Sequence, residues 1–110
     1  MNSVKRRKLE AAGYRVETVQ SFLGLTDVEL TFIELRLSLG RLLRSLREKH
    51  EVTQVRVAKL LGSSQSRVAK MESGDSTVSL DLLFRALLAL GASPTTIARA
   101  ISGTKKKAAA

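Results

Sequence analysis

Residues 53–74 read TQVRVAKLLGSSQSRVAKMESG, and this stretch decides the fold. Thr53 is a good helix N-cap, because its hydroxyl can accept from a free amide one turn on. Val55, Ala58, Leu60 and Leu61 are expected to supply the buried face of a two-turn helix. Gly62 stands where a helix turns left-handed and stops. Ser63 and Ser64 follow, with Ser64 the expected cap of a second short helix. In that helix Val68 and Met71 are three apart and face inward, which leaves Gln65, Ser66, Ala69 and Lys70 outward on one side with Arg67 flanking them. Two short helices therefore meet across a glycine turn. The second presents small, amide and basic side chains, with no acid before Glu72.

Such a surface meets the demands of the DNA major groove. A reading helix must be slim, and its first residues must offer paired donors and acceptors to base edges. Gln does this bidentately with adenine and Ser does it tolerantly, while Arg and Lys favour guanine or phosphate. Ala69 keeps the face flat and can touch a thymine methyl. An ordinary helical hairpin with a polar surface is the other reading of the same residues.

The stretch resembles the helix-turn-helix of the Xre family of phage-repressor-like regulators, whose usual form runs T-Q-x-x-L-A-x-x-L-G-x-S-Q-S-x-[IV]-S-x-[IL]-E-x-G. Thr53, Gln54, Ala58, Leu61, Gly62, Ser64, Gln65, Ser66, Val68, Glu72 and Gly74 match it. The following VSLDLLFRALLALGA is similar to that family's fourth helix, with Leu80, Leu83, Leu87 and Leu90 at core spacing, and Pro94 to Ile101 corresponds to its fifth. The resemblance covers about residues 35–101. It implies an all-α, five-helix repressor-like helix-turn-helix domain that binds double-stranded operator DNA, as a repressor acting on a palindromic operator through a homodimer.

By the same resemblance Gln54 contacts phosphate and braces the recognition helix. Gln65 and Ser66 take the first base-reading positions, and Ala69 and Lys70 the later ones. Ser73, Gly74, Ser76 and Thr77 fall in the loop that clasps the DNA backbone, with Ser64 and Arg67 on its flank. Two residues depart from the pattern. Arg56 stands where many members carry an acid, so a reciprocal capping box at Thr53 is not expected, and with Lys59 it is assigned to the phosphates. Val57 replaces the usual Leu or Glu. The extension KRRKLEAAGYRVETVQSFLGLTDVE is similar to that of stand-alone HigA-type antitoxins, which bind a HigB/RelE-like RNase toxin and repress their own operon. That makes such a toxin an alternative partner.

Upstream of the motif, Thr26 and Glu29 form a T-x-x-E capping box, from which a long helix is expected to run to about His50. Val28, Phe32, Leu35, Leu39, Leu42 and Leu46 form one apolar stripe on it. Leu30, Ile33 and Leu37 form another on roughly the opposite side. One stripe suffices for a core. The second requires either cover from the N-terminal segment or a second copy of the chain, and it is the expected dimer or partner surface. Gly40 lies near it, where a missing side chain permits close backbone approach. Short helices are expected at residues 4–12 and 18–23. The expected organisation is a short helical, basic N-terminal extension at 1–26, the DNA-binding domain at 27–102 and a disordered basic tail at 103–110.

The chain has 110 residues, with 19 Lys+Arg against 10 Asp+Glu and a net charge of +9. The segments 1–25, 26–52, 53–91 and 92–110 carry +3, 0, +2 and +4, so most of the surplus is terminal. A polyanionic partner is implied but not named by charge alone. KRRK at residues 5–8 reads either as a DNA-contacting arm or as a solvated helix start. The absence of cysteine excludes disulfides, thiol nucleophiles and thiolate metal sites, and a single histidine, His50, excludes a His pair. Glu72, Asp75 and Asp81 do not converge as metal ligands. Gly62-Ser63-Ser64 lacks the lysine and the strand of a phosphate loop. No nucleophile–base–orienter set is evident, so neither enzyme activity nor a cofactor is expected. No apolar run approaches a membrane span or the core of a signal peptide, and the expected location is the cytoplasm.

Overall fold

A computed structural model describes Phe22, Gly24 and residues 26–109, with side chains as far as Gly103. Five helices run through these residues: α1 (Asp27–Lys49), α2 (Gln54–Leu61), α3 (Gln65–Ser73), α4 (Leu80–Ala89) and α5 (Pro94–Ala109). No strand occurs among the described residues, and the fold is all-α. The rest of the basic extension, including KRRK and the helix expected at 4–12, lies outside the described residues. Contacts divide the chain between Phe32 and Ile33 into two compact units.

In the first unit the capping box forms reciprocally. The Thr26 amide donates to Glu29 Oε1 at 3.0 Å, and the Glu29 amide donates to Thr26 Oγ1 at 3.1 Å. Hydrogen bonding from Thr26, first its backbone amide and then its side chain, holds the Glu29 carboxyl below its ordinary pKa. Val28 is 76% exposed and Phe32 41%, so the first turns of α1 do not bury the apolar stripe expected of them.

The second unit holds the core. Leu39 and Leu43 of α1, Val57 and Ala58 of α2, Val68 and Met71 of α3, Val78, and Leu83, Ala86 and Leu87 of α4 are all buried. Leu90, Ala92 and Ile97 close it from the C-terminal side. Leu43 falls outside the expected stripe yet is fully buried, while Leu42 and Leu46 are only half-buried against the core. The buried face of α1 is thus rotated toward Leu39, Gly40 and Leu43. In α4 the expected spacing holds, with Leu83, Leu87 and Leu90 buried and Leu80 packed at the edge.

Backbone approach fixes how α1 meets α3. A Cβ on Gly40 would stand 2.5 Å from the Met71 carbonyl oxygen and 2.8 Å from that of Glu72. At Gly74, with φ of 73°, a Cβ would meet Leu37 Cδ2 at 2.9 Å and Leu37 Cα at 3.1 Å. The two glycines let the end of α3 lie directly on α1.

Other ends are closed by ordinary caps. Ser79 caps α4, and Ser93 accepts from the Thr96 amide ahead of α5, which Pro94 opens where no amide is missed. His50 Nε2 donates to the Leu90 carbonyl at 3.1 Å and ties the end of α1 to the end of α4. α5 carries helical backbone to Ala109, into the stretch for which a disordered tail is expected. Lys and Ala are strong helix formers, and no proline interrupts them.

Candidate nucleic-acid interface

The two helices of the motif begin and end as their capping residues dictate. Thr53 has extended backbone and accepts from the Arg56 amide at 3.1 Å, and Ser64 does the same for the Arg67 amide at 3.1 Å. Between them Gly62 adopts φ of 63°, and the Ser63 amide donates to the Ala58 carbonyl at 2.8 Å. A left-handed residue and this long backward bond close α2 in a Schellman-type turn.

The buried face of α2 differs from the expected one. Val55 is 51% exposed and Leu60 63% exposed, whereas Val57 is fully buried. Gln54, Val57, Ala58 and Leu61 follow the i, i+3, i+4, i+7 pattern and face the core together. Val55 and Leu60 lie on other sides of the helix. Val57, which stands where the resemblance expects Leu or Glu, is fully buried.

On α3 the inward pair is Val68 and Met71, both fully buried. Gln65, Ser66, Arg67 and Lys70 are exposed and Ala69 is half-buried. Behind this face runs a polar relay. Arg47, in the last turn of α1, grips the Glu72 carboxylate with Nε at 2.5 Å from Oε2 and Nη2 at 3.1 Å from Oε1. The pair is largely buried, with side chains 15% and 6% exposed. The hydrogen bond to Glu72 holds the Arg47 guanidinium above its ordinary pKa. Arg47 Nη1 also donates to the Val52 carbonyl at 3.0 Å. Gln54 Nε2 donates to Glu72 Oε1 at 3.1 Å, and Gln65 Nε2 donates to Gln54 Oε1 at 2.6 Å. Sequence reasoning does not find Arg47, since 25 residues separate it from Glu72 and no periodicity links them.

A cleft of about 350 Å³ opens beside the recognition face, lined by Ser64, Ser66, Arg67, Lys70, Thr77 and Val78. It brings together five of the residues assigned to DNA. Arg56 and Lys59 lie elsewhere, exposed on the outer face of α2. In the loop after α3 two hydroxyls are already committed: Ser73 donates to the Lys70 carbonyl, and Thr77 donates to Asp75 Oδ1. The Thr77 amide also donates to Asp75 Oδ1, at 2.8 Å. These bonds, first the hydroxyl and then the amide, hold the Asp75 carboxyl below its ordinary pKa, with help from the charges of Lys70 and Arg36. Ser66 and Ser76 are exposed.

Of the expected partner surface, Ile33 is 37% exposed, while Leu30 and Leu37 are half-buried and Leu37 lies against Gly74. Among the described residues no group of His, Cys, Asp and Glu gathers as a metal site, and no helix is long and apolar enough to cross a membrane.

No curated protein and no solved structure showed significant similarity to the chain. The family model described as helix-turn-helix domain matches residues 38–100, more than half of the sequence and all of α2, α3 and α4. With its capped helix pair and exposed polar face, the chain belongs to the helix-turn-helix domain family of DNA-binding proteins.

Proposed function

We propose that this chain is a sequence-specific transcriptional regulator of the Xre type, a repressor that binds a palindromic operator as a homodimer. The recognition helix α3 enters the major groove, where Gln65, Ser66, Ala69 and Lys70 meet base edges. Gln54, Arg56, Lys59 and Arg67 meet phosphates. The observation that carries this reading is the Gln65 amide, exposed at the head of a slim polar helix and held from behind at 2.6 Å by Gln54. A side chain fixed before binding loses little freedom on meeting a base, which favours specific contact. The dimer surface we assign to Leu30, Ile33 and Leu37 of α1, with Ile33 the most exposed of the three.

Selection of bound DNA from a random pool tests the proposal. The expected outcome is an inverted repeat with half-site centres about 34 Å apart. A recovered pool with no shared motif would overturn it. Gln65→Ala should cost about 1–3 kcal/mol on the selected site and relax preference at one position, leaving random DNA unaffected.

A second reading is a HigA-type antitoxin that neutralises a HigB/RelE-like RNase toxin and autoregulates its operon. The apolar side chains left open on α1, Val28 and Phe32, favour a protein partner of some kind. Co-expression with a neighbouring RelE-like open reading frame tests it. Rescue of growth and co-purification are expected if the reading holds, and their failure returns the chain to plain regulation.

A further inference from the structure

We infer that Glu72, buried beneath the recognition helix, sets the hydrogen-bonding pattern that Gln65 offers to a base, and so acts as a positioning residue for sequence preference. The inference rests on the reading of Gln65 as a base contact. Its basis is the placement of donors and acceptors. A carboxylate gripped by arginine has only lone pairs left to offer. Glu72 Oε1 is shared between Arg47 Nη2 and the Gln54 side chain, so Gln54 must turn its amide nitrogen inward. That leaves Gln54 Oε1 facing Gln65, which must in turn present its own nitrogen. An amide alone could be inserted in either sense, since its two ends are similar in size. Here a fixed acceptor at the root of the relay removes that choice.

What remains free on Gln65 is Oε1 and one N–H, in a fixed order across the groove. The order matches an adenine edge, whose amino group donates and whose N7 accepts. Guanine offers two acceptors at the same edge and leaves Oε1 opposed to an oxygen. A reversed amide would exchange the two ends and meet base pairs in the opposite order. The residue that decides between these states touches no DNA.

Replacing Glu72 by Gln keeps the size but leaves one acceptor oxygen where there were two, so the grip of Arg47 weakens and residue 72 can offer either an N–H or a carbonyl to Gln54. Both amides are free to turn. The test selects DNA with the wild type, then measures binding of Glu72→Gln, Gln54→Ala and Gln65→Ala to the selected site and to its single-base variants. Thermal melting of each protein is followed in parallel. Expected for Glu72→Gln is a loss of preference of about fivefold or more at the one position that Gln65→Ala also relaxes, with preference elsewhere unchanged. In a Gln65→Ala background Glu72→Gln should add nothing. Gln54→Ala keeps the Arg47–Glu72 pair and cuts the relay, so the same position should relax; where Glu72→Gln fails to fold, unchanged preference in Gln54→Ala still overturns the inference.

A folded Glu72→Gln protein with wild-type preference overturns the inference, as does a loss spread evenly over all positions. A wild type with no preferred site sinks the base-reading proposal itself, and the inference with it. Preference intact in the wild type and unmoved in the variants sinks the inference alone.

Discussion

Glu51 holds a left-handed backbone, φ of 56°, immediately after α1. It occupies the position at which helices usually place glycine, because the Val52 amide reaches back to the Arg47 carbonyl at 3.2 Å and closes a Schellman-type end. A side chain in this region costs about 1–2 kcal/mol, part of which glycine would return as unfolded-state entropy. Glu51→Gly should therefore raise stability by about 0.5–1 kcal/mol, read as a higher urea midpoint with an unchanged slope. Asp75 supplies the second prediction at this scale. Its folded pKa lies below its unfolded one, so the unfolded chain takes up the proton first as pH falls. The stability it contributes is complete above the ordinary Asp value of about 3.9 and is lost below it. The Thr77 amide, which donates to Asp75, should titrate by NMR with a midpoint under that value, and Asp75→Asn should abolish the titration. A midpoint at or above it would contradict the assignment.

Between elements, the approach of α1 to α3 depends on the missing side chains of Gly40 and Gly74. Gly40→Ala would press a Cβ onto the Met71 and Glu72 carbonyls, which are backbone and cannot swing aside. The helices must part, at a cost of about 1–3 kcal/mol, which outweighs the ~1 kcal/mol that alanine gains in helix propensity. Ser64→Ala, by contrast, removes only the cap of α3 and should cost about 0.5–2 kcal/mol. Denaturant titration of both proteins checks the order. Which features the sequence makes legible follows the same division. Thr53, Gly62, Ser64 and the Thr26–Glu29 box are local signals, each completed within a few residues, and they stand where expected. The inward pair Val68 and Met71 is equally local. The face of α2 is not legible: eight residues admit more than one apolar stripe, and the core chose Val57 over Val55 and Leu60. Leu43 illustrates the same on α1. The Arg47–Glu72–Gln54–Gln65 relay joins three helices. Its first link spans residues that no helical period relates, so only the folded chain reveals it.

Over the whole molecule the charge is distributed against the site. The segment 53–91, which contains α2, α3 and α4, carries +2, while the two ends together carry +7 of the net +9. Long-range attraction to a phosphate backbone follows total charge, whereas discrimination follows groups aimed at base edges. The two should therefore separate by mutation. Replacing Lys105, Lys106 and Lys107 by Ala removes three of the terminal charges and leaves the sequences of α2 and α3 unchanged. Affinity for the selected operator and for random DNA should fall together, and the slope of log K against log salt should flatten by at most about 2.7, at ~0.9 for each phosphate no longer neutralised. Arg56→Ala or Lys59→Ala should flatten it by about 0.9 each where those residues meet phosphates. In all of these proteins the ratio of operator to random binding should stay near that of the wild type. Gln65→Ala should do the reverse, lowering the ratio and leaving the slope alone. A tail variant that changed the ratio would mean that the terminal lysines contribute to discrimination as well as to attraction, and the proposed assignment of specificity to α3 alone would fail.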